Sequence, residues 1–137
     1  MSDFSARTNE LVDLFDAAGD GMARYEVLID LGRDLAPLPD AFRNDAFRVR
    51  GCQSQVWIAP EYGADGTLTL HGDSDALITK GLVAVLVGAL SGLPAQDVKD
   101  ADLGFLDQIG VAEHLSPSRK NGLAAMVRRI RDYAAAA

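Results

Sequence analysis

The stretch from Leu77 through Val87 is apolar on nearly every side: Leu77, Ile78, Leu82, Val83, Val85, Leu86 and Val87 leave no polar stripe for water. A helix of that kind has to lie inside a fold, so the rest of the chain must be arranged to cover it. Its β-branched residues would also suit a strand. Asp73, Ser74 and Asp75 just before it decide for helix, because their side-chain oxygens can cap one starting near Ala76. The longest apolar run, Gly81 to Leu90, is far short of the roughly 20 residues a membrane span requires, so the cover must be protein.

The cover can be read from periodicity. Leu11, Leu14, Phe15 and Ala18 recur at helical spacing until Gly19-Asp20-Gly21. A second helix carries Tyr25, Leu28, Ile29 and Leu35 and ends at Pro37 and Pro39. So short a connection predicts an N-terminal helical hairpin. From residue 46 the period changes to two: Phe47 and Val49, then Val56 and Ile58, then Leu68 and Leu70 alternate with polar or wet positions. With Gly63 and Asp65-Gly66 as a turn, this predicts a three-stranded antiparallel sheet with one face partly wet. Pro94 opens an irregular segment with one turn near Asp102 to Ile109. Ser116-Pro117 is a capped start for a last helix whose buried stripe is Leu123, Met126, Val127 and Ile130. The expected fold is α+β: a helical hairpin, the sheet, and C-terminal helices packed on one face, in one domain spanning 1–137.

The chain has 137 residues and a net charge of −7 from 20 acids and 13 bases. That sign opposes non-specific nucleic-acid binding, which relies on neutralising phosphates. The first residues carry no basic and apolar leader, and there is one cysteine. Both features predict a cytoplasmic protein with no membrane anchor.

The single cysteine, Cys52, falls in Arg48-Val49-Arg50-Gly51-Cys52-Gln53-Ser54-Gln55-Val56-Trp57-Ile58. It cannot form an internal disulfide, and one thiol cannot hold a cluster. Free cysteines are often inert small hydrophobes. Here the expected position is the reversal between the first two strands, and Arg48 and Arg50 put positive charge nearby, which would lower the thiol pKa and favour the reactive thiolate. A Cys–His hydrolase would need His71 or His114 as base; His71 is expected at an exposed strand end and His114 before the last helix. No CxxC or HxxxH pair supports a metal site, and no Gly-rich loop supports phosphate binding. Asp73 and Asp75 read as caps, Arg119 and Lys120 as a solvated first turn or as cations aimed at an anion, and Arg128, Arg129 and Arg131 as a solvated face. A sheet face near Trp57 is available to a partner or to a second copy in a homodimer.

Three blocks resemble the SufE-type cysteine desulfuration proteins: Gly51-Cys52-Gln53-Ser54-Gln55-Val56-Trp57-Ile58, then Gly72-Asp73-Ser74-Asp75 with Ile78-Thr79-Lys80-Gly81-Leu82, then His114-Leu115-Ser116-Pro117-Ser118-Arg119 with Gly122-Leu123 and Met126. The resemblance implies a SufE/IscU-like fold with Cys52 as sulfur acceptor. Sulfur would come from the persulfide of a pyridoxal-phosphate-dependent cysteine desulfurase and go to an iron–sulfur assembly scaffold, with no cofactor or metal on this chain. With one cysteine and not the three of IscU-type scaffolds, carrier is favoured over scaffold. Arg119 matches the third block and is expected to stabilise the Cys52 thiolate or persulfide; Asp75 is expected to position the loop. A carrier also has to shield its sulfur, so Cys52 is expected to face an apolar pocket. The alternatives are an allosteric desulfurase activator with an incidental cysteine, and the thiol hydrolase.

Overall fold

The computed structural model describes residues 3–110 and 115–137. Helices α1 (Asp3–Ala18) and α2 (Gly21–Arg33) meet at Gly19, whose φ of +95° is a left-handed conformation other residues rarely adopt. Asp20 caps α2 by accepting the Ala23 N–H at 3.2 Å. Two 3-10 turns, Asp40–Phe42 and Asp45–Phe47, lead to strands β1 (Val56–Tyr62) and β2 (Thr67–Ser74). Then come α3 (Leu77–Leu90), β3 (Leu93–Pro94), α4 (Ala95–Asp100), α5 (Phe105–Gln108) and α6 (Pro117–Ala135). The fold is α+β, with N-terminal helices, a three-stranded antiparallel sheet and C-terminal helices.

The sheet runs β1-β2-β3, with Val56 opposite Ser74 and Tyr62 opposite Leu68. Its membership differs from the periodicity reading. Phe47 closes the 3-10 turn Asp45–Phe47, a single bridge then pairs Arg48 with Trp57, and the third strand is the two-residue β3, which pairs with Thr67 and Leu68. Asn44 explains the change, because its side chain accepts the Ala46 N–H at 2.9 Å and starts the turn where a strand was expected.

Helix α3 is central. Leu82, Val83, Val85, Leu86 and Ala89 are all at 1% exposure or less, packed with Phe15, Leu28, Ile58, Leu68, Met126 and Ile130. Each such large side chain contributes about 1.5–3 kcal/mol by leaving water. Two glycines set how closely α2 approaches α3: a Cβ on Gly32 would stand 2.9 Å from the Gly81 nitrogen, and one on Gly81 would strike the Leu28 carbonyl oxygen. The two backbones therefore touch with no side chain between them at that point.

Asp73 and Asp75 do not cap α3. Its N-cap is Ala76, which contributes no side-chain hydrogen bond. Asp73 instead accepts Arg43 at 2.6 Å and pairs with Lys80 at 3.3 Å. The Arg43 guanidinium lies 4.8 Å from the Trp57 ring centroid, and Trp57 is 9% exposed, so that part of the sheet is covered and offers no open face. The basic run of α6 also differs from a solvated face. Arg129 donates to the carbonyls of Ala46 and Arg48 and to the Tyr133 hydroxyl, and Arg131 donates to those of Lys99 and Ala101. α4 is a further difference: Pro94 is its N-cap and Ala95–Asp100 is helical where an irregular segment was expected.

Candidate functional site

Cys52 sits in a bend between the Arg48–Trp57 bridge and β1. Gly51 has a φ of +94°, which lets the chain reverse there without strain. Three sets of bonds hold the bend. The Val49 N–H donates to the Val56 carbonyl at 2.8 Å, and the Gln55 N–H donates to Asp75 Oδ1 at 2.9 Å. The Asp75 N–H returns to the Gln55 carbonyl at 3.2 Å, and the Ser54 hydroxyl donates to Thr79 Oγ1 at the same distance. Asp75 is thus a clamp on the exit of the Cys52 bend, although it was expected first as a cap.

The half-buried Cys52 side chain turns inward, with Sγ 3.7 Å from the Gly122 carbonyl oxygen. It borders a cavity of about 110 Å3. One wall is Ala76, Thr79 and Leu82 from α3; the other is Ser118, Arg119, Gly122 and Met126 from α6. The lining is mixed where an apolar one was expected. Gly122 makes the room, since a Cβ there would stand 3.0 Å from Sγ. Helix α6 starts where Ser116-Pro117 predicts, and Ser116 accepts the Arg119 N–H at 3.3 Å. That cap sets the helix phase that puts Arg119 and Gly122 on the cavity side. Among the described residues the Arg119 guanidinium has no hydrogen bond or ion pair, and its side chain borders the same cavity as the thiol.

Burial pushes the Cys52 thiol above its ordinary value of 9.0. This corrects the expectation that Arg48 and Arg50 lower it. Neither arginine lines the cavity, and Arg50 is exposed over a separate groove with Ala125, Arg128 and Arg129. The resting sulfur is a neutral thiol near neutral pH. Among the described residues no histidine lines the cavity. His71 is inside β2, with Nε2 3.1 Å from Glu61 Oε1 and its ring stacked on Phe42, and not at an exposed strand end. His114 lies outside the described residues.

Thr79, Gly122 and Met126 were not singled out as site residues. A glycine inside a helical pattern and a hydroxyl inside an otherwise apolar helix were the available signals.

Residues 9–134 match the family model described as SufE: Fe-S metabolism associated domain. The chain belongs to the SufE family. SufE membership places it in Fe–S metabolism and implies a cysteine desulfurase as partner. The fold is similar to the solution structure of a hypothetical protein from Thermus thermophilus, with a TM-score of 0.78 and 22% identity over 95% of this chain and 94% of that one. At that identity the likeness is one of fold alone. No helix among the described residues is long and apolar enough to cross a membrane.

Proposed function

We propose that the chain is a sulfur carrier that accepts sulfane sulfur on Cys52 from a cysteine desulfurase and relays it to an iron–sulfur assembly scaffold, stimulating the desulfurase by clearing its persulfide. The observation that supports this best is the Cys52 side chain itself: it points into a small walled cavity of about 110 Å3, with Arg119 in the wall. An incidental core cysteine would be packed against side chains, with no space beside its sulfur.

In the transfer, deprotonated Cys52 Sγ attacks the terminal sulfur of the donor's persulfide. A new S–S bond forms at Cys52, the donor's S–S bond breaks, and the electron pair leaves on the donor cysteine, which takes up the proton Cys52 gave up. No net oxidation occurs. No second cysteine is present to close an internal disulfide, so the sulfur stays until an acceptor thiol attacks it. In this reading Arg119 offsets the charge of the thiolate or persulfide, and Asp75 holds the bend through the Gln55 N–H. The raised thiol pKa fits a carrier that reacts poorly with stray electrophiles until a donor engages it.

Incubation with a pyridoxal-phosphate-dependent desulfurase and cysteine, followed by intact-mass measurement, tests the relay. Wild type should gain the mass of one sulfur, and Cys52→Ser should gain none. Full stimulation of the desulfurase by Cys52→Ser would overturn the carrier role in favour of allosteric activation. Arg119→Ala should load more slowly; unchanged loading would remove Arg119 from the mechanism.

A further inference from the structure

Thr79 is the single hydroxyl residue of α3, and it is buried to 6% exposure on the cavity wall. A hydroxyl in such a place is costly unless it is hydrogen-bonded. Its oxygen accepts from Ser54 at 3.2 Å, which uses a lone pair and leaves its own hydrogen. That hydrogen is donated to no acceptor among the described residues. Ala76, the N-cap of α3, lines the same cavity and gives the helix no side-chain cap. The start of α3 therefore borders the space beside Cys52, with the Ala76 N–H held by Ser74 Oγ at 3.3 Å.

The resting site holds a neutral thiol, which has little use for a buried donor. A persulfide is a stronger acid than its parent thiol, so loading brings negative charge into the cavity. The volume of about 110 Å3 compares with about 30 Å3 for a water molecule, so a terminal sulfur fits without expelling a wall. Resting on the relay reading above, we propose that Thr79 donates a hydrogen bond to the terminal sulfur of the Cys52 persulfide and, with the first turn of α3, holds that sulfur inside the cavity. Arg119 supplies charge from the α6 side, and Thr79 supplies direction from the α3 side. The Ser54 hydroxyl orients Thr79 by occupying its oxygen.

The test loads Cys52 in two ways, from desulfurase with cysteine and from inorganic polysulfide, and then follows loss of the added sulfur to glutathione by intact mass. Thr79→Val keeps the side-chain shape and removes the donor. It should load but release sulfur roughly ten-fold faster or more, the effect of losing one hydrogen bond to a charged acceptor. Thr79→Ser should match wild type within about two-fold. Loading should raise the melting temperature of wild type more than that of Thr79→Val, a difference that a purely structural threonine would not produce. Equal release rates for wild type and Thr79→Val would overturn the assignment. Loading of wild type by polysulfide but not by desulfurase would strike the relay and still test Thr79. If Thr79→Val does not fold, Ser54→Ala carries the test, with release quickened by roughly two- to five-fold through loss of the orienting bond; unchanged release would overturn it.

Discussion

Gly122→Ala separates the sulfur site from the fold. A methyl at Gly122 would stand 3.0 Å from Cys52 Sγ, 3.7 Å from its Cβ and 3.8 Å from its Cα. The two carbon contacts are ordinary, so the crowding falls on the sulfur alone, which must retreat by roughly half an ångström or more to reach normal contact. Sγ turns about a single bond on a bend, whereas α6 is fixed by Met126 and Ile130 in the core, so the sulfur yields. The helix itself gains about 0.8–1.0 kcal/mol when alanine replaces an interior glycine. Gly122→Ala should therefore melt at the wild-type temperature or up to about 4 °C higher. Its thiol, pushed toward water, loses part of the burial that raises its pKa. The thiolate fraction rises as that burial is lost, so iodoacetamide should alkylate Cys52 faster at neutral pH. A sulfur loaded on the variant should also be lost faster to glutathione. Alkylation unchanged or slowed, in a variant that melts as wild type, would refute the reasoning: the methyl would then be filling space that the sulfur does not need.

Gly81→Ala acts on the fold instead. Its methyl would meet the Leu28 carbonyl oxygen and lie 2.6 Å from Leu28 Cγ, forcing α2 off α3. The expected loss is roughly 3 kcal/mol, read as a lower urea midpoint at unchanged slope. Arg129→Ala leaves the Ala46 and Arg48 carbonyls without their donor and should cost about 1–2 kcal/mol by urea unfolding. Arg129→Lys should recover less than half of that, since an ammonium cannot span both carbonyls and the Tyr133 hydroxyl as a fork does. Asp73 governs acid stability. Burial alone would raise its carboxyl, but hydrogen bonds from Arg43, the Ser74 N–H and Lys80 outweigh it and hold the folded pKa below 3.8. A depressed carboxylate stabilises the fold above its unfolded pKa, and that stability is lost as pH falls through 3.8 and below. Asp73→Asn should flatten the stability profile below about pH 4, and superimposable profiles would remove Asp73 from acid unfolding.

What could be read from the sequence depended on how local the cause was. Ser116-Pro117 specifies the start of α6 through a cap three residues long, and the structure shows that cap. The apolar circumference of α3 required burial wherever the helix lay, and α3 is at the centre. Phe47 and Val49 alternate as a strand would, yet Asn44 bends the chain into a 3-10 turn and only one bridge forms. β3 has two residues and is too short to carry any alternation. Within the site, Cys52 was conspicuous as the sole thiol, but Gly122 lies 70 residues further along and Thr79 borders it only across the cavity. Their relation exists in space alone. Arg128 is exposed as a solvated face requires, whereas Arg129 and Arg131 escape the charge pattern for a similar reason, because their acceptors include backbone carbonyls, which no side-chain pattern reports.

The cavity beside Cys52 borrows a wall from α6, the last helix of the chain, which ends at Ala135. More than eighty residues must therefore be added by the ribosome after the cysteine before its shelter can close. At about 5–20 residues per second, that leaves the nascent thiol without the α6 wall for roughly 4–16 seconds. A second cysteine in the chain could trap it during that interval as a wrong disulfide. With only one, the growing polypeptide carries no internal partner for it, and the thiol can wait unharmed for Gly122 and Arg119 to arrive.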